Sequence, residues 1–400
     1  MGLGKWWLLP VGIVTASAIV TLGIVIIEPP SFAHRSAAEV VPQVASERET
    51  AIEEHHDEAA ERSEAQTSIE PAHLDCSAAA SKDYPCIQQR YQDLVRNLGV
   101  EAAFAELKGE MATNNFINSN CHQISHVIGR VAADLYGDIP NTYSHGNSFC
   151  GSGYYHGALE TIVAKIGPDR ILEEADSLCA DLGGHPKHSL FHYNCAHGLG
   201  HGFMGNQEND IFDSLDTCDA LSDPWERERC YGGVFMENVI TKDDREHPSK
   251  YLKAASPLYP CDTIESRYKN ECYQRQTSYA LRTQGNDFVR VFDLCRRLED
   301  GFSSPCYQGL GWAASVQSLN QTDNNATVNQ STGDLCMLGG EYEARFNCIV
   351  GAVEYFVRHY YSDAQPKVFC ETLTAELRAA CLQEVEEYYH GLESPLERRT

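Results

Sequence analysis

From Cys76 onward, apolar residues recur at three- and four-residue steps along the chain. That period sets one face of an α-helix against a core. It runs through residues 88–98 and 100–111 on either side of Gly99, as in an αα-hairpin. Residues 123–136, 170–182 and 373–389 carry the same pattern. Proline follows glycine or aspartate in Gly167-Pro168 and Asp223-Pro224, where a first helical position tolerates its missing N–H. Strand-like alternation is scarce, so the pattern predicts an all-α domain.

The helices repeat. Cysteines fall in pairs, Cys218 with Cys230, Cys261 with Cys272, Cys295 with Cys306, Cys336 with Cys348 and Cys370 with Cys381, each 11 or 12 positions apart. The second cysteine of each pair opens a related segment: CYGGVFMEN, CYQRQTSYA, CYQGLGWAA, CIVGAVEYF and CLQEVEEYY. Successive second cysteines lie 42, 34, 42 and 33 residues apart, a step that suits a two-helix unit. Each unit reads as one helix ending near the first cysteine, a loop closed by a disulfide, and a second helix starting at the second cysteine. Stacked units would form an α-solenoid or α/α superhelix. Cys179 with Cys195 and Cys76 with Cys86 fit the scheme loosely, and Cys121 pairs with Cys150 by elimination.

Residues 6–27 form an uncharged apolar run of the roughly 20 residues needed to cross a bilayer. Lys5 precedes it and Glu28 follows, which favours retention of residues 1–5 in the cytoplasm and export of the rest. A single-pass signal-anchor is expected. The competing reading is a cleaved signal with Ser31-Phe32-Ala33 as the site, although the run exceeds the roughly 7–15 residues usual for a signal. Residues 28–75 are rich in Glu, Ala and Ser and interrupted by prolines, the composition of a disordered acidic linker. His55-His56 reads as a solvated pair within it. Residues 76–205 then form a His-rich part and residues 206–400 a Cys-paired part of the extracytoplasmic repeat domain.

Composition agrees with export. Sixteen cysteines without CxxC spacing describe a disulfide framework in an oxidising compartment rather than thiolate metal sites. Asp and Glu number 57 against 31 Lys and Arg, a balance that excludes nucleic acid as a main partner. Three sequons, at Asn320, Asn325 and Asn329, predict an exposed polar loop that a eukaryotic host would glycosylate.

The chemistry is concentrated early in the domain. Nine of the 16 histidines lie between residues 122 and 201. Histidines at i and i+4 on a helix point from one face, a spacing that one metal ion bridges. His122 with His126 and His197 with His201 have this spacing, and His156 with Glu160 puts a carboxylate in the i+4 place. These six residues are the expected ligands of one or two ions of iron, copper or zinc. Glu237 and Glu354 occupy roughly the repeat position of Glu160, so a glutamate there is also a property of the repeat, suited to holding a neighbouring helix. His188 and His192 share the spacing in a loop-like region and, with Tyr155, are expected around the site. Glycines 198, 200 and 202 leave room for a close partner.

Haem attachment, nucleophile-elbow, phosphate-loop and dinucleotide motifs are absent from the sequence. Two functions follow. One is a metal-dependent oxygenase or hydrolase acting on an extracytoplasmic substrate. The other is a non-catalytic solenoid that binds a protein or glycan through structural histidines.

Overall fold

A computed structural model describes residues 84–240, 249–299, 301–322 and 324–392. Among these residues there are seventeen helices and no strand. The first eight are α1 (Tyr84–Leu98), α2 (Val100–Met111), α3 (Asn115–Ser119), α4 (Cys121–Tyr136), α5 (Ile139–Ser144), α6 (Gly153–Ile166), α7 (Pro168–Leu178) and α8 (Leu190–Asn206). The chain continues through α9 (Ile211–Asp219), α10 (Pro224–Ile240), α11 (Ser266–Thr283), α12 (Phe288–Arg296) and α13 (Ser303–Gln321). It ends with α14 (Asn325–Met337), α15 (Tyr342–Tyr360), α16 (Ala364–Glu371) and α17 (Ala375–Gly391).

One layer runs in chain order: α4 packs on α6, α6 on α8, α8 on α10, α10 on α11, α11 on α13, α13 on α15 and α15 on α17. The shorter α9, α12, α14 and α16 lie against this layer, each touching the long helix that follows it. Polar contacts join helices distant in sequence: Asn194 of α8 donates to the Tyr361 hydroxyl, and Gln274 of α11 donates to Glu354 of α15 at 2.9 Å.

Every cysteine pairing expected within the described residues is present. Cys121 is bridged to Cys150 and Cys179 to Cys195. In the later units Cys218 is bridged to Cys230, Cys261 to Cys272, Cys295 to Cys306, Cys336 to Cys348 and Cys370 to Cys381. Cys76 lies outside the described residues, as do the apolar run 6–27, the linker 28–75 and the short amino-terminal end. No helix among the described residues is long and apolar enough to cross a membrane.

Two details differ from the repeat scheme. The second cysteine of each later pair does not start its helix but sits inside it: Cys230 in α10, Cys272 in α11, Cys306 in α13, Cys348 in α15 and Cys381 in α17. The helix takes its start from a residue upstream, such as Pro224 in α10. The segment before Cys261 forms turns from residue 249 onward, so that unit has no first helix among its described residues.

Helix α8 contains four glycines, each costing about 1 kcal/mol relative to alanine in a helix interior. Ser189 caps it by accepting from the His192 N–H at 3.2 Å. Close approach between neighbouring helices offsets that cost at Gly198, Gly200 and Gly202, where a Cβ on Gly200 would sit 2.2 Å from the Cys230 carbonyl of α10, but not at Gly205, which has nothing within 4 Å; glycines of the neighbouring helices do the same. A Cβ on Gly157 of α6 would sit 2.1 Å from the His126 carbonyl of α4. One on Gly233 of α10 would sit 2.0 Å from the His197 carbonyl of α8. Backbone contact at these crossings brings the histidine side chains of successive helices to one place. Gly157→Ala is expected to lower stability by about 1–3 kcal/mol through forced helix separation, read as a shift in denaturation midpoint. An unchanged midpoint would show that the α4–α6 crossing is not tight.

Candidate metal centre

Three helices deliver five imidazoles to one buried cluster: His122 and His126 from α4, His156 from α6, His197 and His201 from α8. His126, His156, His197 and His201 are buried, at 1–5 % exposure. The Nε2 atoms of His122 and His126 are 3.0 Å apart, and those of His197 and His201 are 3.4 Å apart. His156 lies between the pairs, its ring stacked on His201 with centroids 4.5 Å apart. Its Nδ1 is buried without a hydrogen-bond partner.

Acceptors behind three of the rings fix their tautomers. Nδ1 of His122 is 2.7 Å from the Cys150 carbonyl, Nδ1 of His126 is 2.6 Å from Glu160 Oε1, and Nδ1 of His201 is 2.6 Å from Glu237 Oε2. A carbonyl or carboxylate oxygen accepts, so each Nδ1 carries the proton and each Nε2 keeps its lone pair. The lone pairs of His122 and His126 therefore face one another across 3.0 Å. A cation or a shared proton between them would relieve that repulsion.

A proton is poorly suited to that place. Burial, reinforced by His126, pushes the His122 pKa down to about 3. Burial and the neighbouring imidazoles also hold His156 well below the ordinary histidine value, and burial with His201 does the same for His197. A metal cation needs neutral imidazoles, and two nitrogens bound to one tetrahedral ion at ordinary lengths stand about 3.3 Å apart. Three groups have ligand atoms mutually within 4.8 Å: His122, His126 and His156; His156, His197 and His201; and His126, Glu160 and His201. This buried His/Glu cluster could hold a metal ion. No family model, curated protein or solved structure matches this chain.

Glu160 enters differently from the imidazoles. Oε1 accepts from the His126 Nδ1–H and Oε2 from Arg130, each at 2.6 Å. Burial alone would raise its pKa, but His126 and Arg130 hold it well below the usual carboxylate range. It thus has the geometry of a carboxylate that orients a ligand and increases its basicity. Glu237 does the same for His201 and is not among the site residues that spacing picks out. Its repeat equivalence to Glu160 is the signal that points to it.

The other expected neighbours lie apart from the cluster. His192 makes a buried pair with Glu226 at 2.7 Å, and its Nδ1 accepts from the His188 backbone N–H at 2.7 Å. His188 faces Asp223 at 3.3 Å and stacks near Trp225. Both histidines serve the start of α8. Tyr155 packs among Tyr143, Tyr154 and Phe191. The tyrosine beside the cluster is Tyr193, whose ring stacks on His197 with centroids 5.5 Å apart.

The turn that aims the Cys150 carbonyl is unusual. Cys150, Gly151 and Ser152 have φ of 58°, 67° and 66°, the left-handed region that side chains other than glycine's rarely occupy. Such backbone persists where surrounding structure over-determines it, and here the Cys121–Cys150 bridge does so.

The depressed histidines make the metal-free fold acid-labile. Unfolded imidazoles take up protons near pH 6.5, whereas His122 does so at about 3 and buried His359 at about 4. Between those values the unfolded chain binds more protons, so stability is complete above about pH 6.5 and falls as pH drops toward 4. Denaturation midpoints of chelated protein at pH 7.5 and pH 5 should differ in that direction. Equal midpoints would show that these imidazoles titrate normally.

The sequons also depart from a single exposed loop. Asn320 lies in the last turn of α13 and Asn325 starts α14, both exposed, while Asn329 lies within α14 at 2 % exposure. A glycan at Asn329 has no surface to occupy in the folded protein.

Proposed function

We propose that this chain is an exported metalloprotein in which disulfide-stapled repeats form an α/α superhelix behind an amino-terminal membrane anchor. His122, His126, His156, His197 and His201 hold one or two ions of iron, copper or zinc in it. The activity is that of a metal-dependent oxygenase or hydrolase on an extracytoplasmic substrate. Glu160 and Glu237 orient and polarise His126 and His201. The observation that carries this reading is the pair of Nε2 lone pairs facing each other at 3.0 Å, each fixed by an acceptor behind its ring. Imidazole donors suit iron, copper and zinc, and an ion held mainly by neutral ligands keeps its positive charge to polarise water or oxygen.

A binding solenoid with structural histidines would place each histidine against its own hydrogen-bond partner. Convergence of five rings, His156 among them with its buried unpartnered Nδ1, favours the metal over that alternative. The decisive measurement is elemental mass spectrometry of the full chain, purified in detergent without a histidine tag and with its disulfides intact. One or two equivalents of iron, copper or zinc are expected, and none in His197→Ala/His201→Ala. A folded, oxidised protein without stoichiometric metal would leave the protein- or glycan-binding solenoid as the better account.

A further inference from the structure

Beside the histidine cluster lies a cavity of about 390 Å³ whose wall includes three guanidiniums: Arg229 of α10, Arg275 of α11 and Arg358 of α15. Arg275 and Arg358 are 6 % and 7 % exposed. Both lie over the Trp312 ring, at 4.7 and 4.1 Å from its centroid. Arg358 also lies over Tyr193 at 4.7 Å. Aromatic faces and packing hold these cations in place.

Their charge is not balanced inside the protein. Arg275 meets Glu271 at 3.4 Å and Arg358 meets Glu354 at 3.6 Å. The carboxylate nearest Arg229 is Glu228, 61 % exposed at the rim, where solvent screens it. Arg267, also at the rim, is occupied by Asp219 and Glu265. Three guanidiniums therefore face two buried carboxylates. Nε of Arg229 and Arg275 and Nη2 of Arg358 are buried without a hydrogen-bond partner. A cation taken out of water without a counter-charge is destabilising, and a ligand of opposite charge removes that penalty.

We propose that this cavity binds a small polar molecule carrying one carboxylate. One surplus positive charge matches a monoanion, and guanidinium forks match a carboxylate in geometry. Asn270, Gln274, Ser304 and Gln308 complete the wall and suit hydroxyl or amide groups on the rest of the molecule. The volume falls at the lower end of the range for small-molecule sites. Tyr193 links this site to the metal cluster: its hydroxyl accepts from Arg275 at 3.4 Å and from Arg358, and its ring stacks on His197. Arg358 also lines a smaller void that reaches His156 and His197. That the bound acid is the substrate rests on the metal reading above; the carboxylate site itself does not.

The test is calorimetric titration of the full chain in detergent with D-glucuronate, glucose and inorganic phosphate, before and after chelation. Glucuronate is expected to bind at least about tenfold more tightly than glucose or phosphate, metal present or absent. Arg275→Gln should remove that preference and Arg275→Lys should recover part of it. Asn270→Trp, at an exposed position of α11, should abolish binding by filling the cavity while every arginine stays in the sequence, and so covers the case in which Arg275→Gln fails to fold. Glucuronate binding no tighter than glucose, or unchanged in Asn270→Trp, would overturn the proposal, and stronger phosphate binding would overturn the monocarboxylate assignment. Absence of metal in the parent protein would instead remove only the substrate role.

Discussion

Glu237→Gln is expected to weaken metal binding by roughly 10–100-fold while the helices and disulfides stay in place. Glu237 reaches from α10 to Nδ1 of His201 at 2.6 Å and fixes which nitrogen of that ring carries the proton. An amide in its place removes the negative charge that makes Nε2 a stronger donor. It also offers an N–H that can turn the ring to the wrong tautomer. Glu160→Gln should cost at least as much, because Glu160 serves both His126 and Arg130 and its loss removes the ion pair of Arg130 near the cluster. Competition against chelators of graded affinity measures both variants. The double variant should depart from the product of the two factors, since His126 and His201 lie with ring centroids 5.4 Å apart in one cluster. Unchanged affinity in both single variants would mean that the carboxylates only hold helices together, and the five rings would have to be oriented by packing alone.

The parts legible in the sequence are those written locally. Disulfide spacing displays the repeat directly, because the bridge in each later unit, from Cys218 with Cys230 to Cys370 with Cys381, closes a loop of 11 or 12 residues. Spacing does not reveal where each helix begins: Cys272 and Cys306 look like first residues of a segment, yet α11 starts at Ser266 and α13 at Ser303. The i,i+4 histidine pairs are visible because a helix turns that spacing into one face. The assignment of Glu237 needs tertiary register: it meets a histidine 36 residues away, and only its likeness to Glu160 in repeat position hints at that. His188 and His192 show the limit from the other side. Their spacing equals that of the clustered pairs, yet they fall at the start of α8 and turn toward Asp223 and Glu226. Spacing names a face, and packing decides what the face meets. Asn329 illustrates the same point, since its sequon is intact while α14 turns the side chain inward.

Full reduction of the disulfides is expected to unfold the domain at room temperature and to release any bound metal. Each 11- or 12-residue loop contributes ~3 kcal/mol in the chain-entropy picture. Five such bridges, and two more with separations of 29 and 16 residues, join described residues. Their combined effect exceeds the roughly 5–15 kcal/mol by which a domain is ordinarily stable. Circular dichroism with and without a thiol reductant reads the outcome, and a reduced protein that keeps its helices would show that packing alone carries the fold. The bridges should differ in what their single loss does. Replacing Cys336 and Cys348 by serine removes a staple far from the histidines in sequence and should lower stability by ~3 kcal/mol with metal content unchanged. Replacing Cys121 and Cys150 should do more, because that bridge anchors the left-handed turn at residues 150–152 whose Cys150 carbonyl fixes the His122 proton. Freed from the bridge, the turn can relax and the carbonyl can leave Nδ1 of His122. Metal affinity should then fall together with stability, whereas equal metal retention in the two variants would separate the turn from the site.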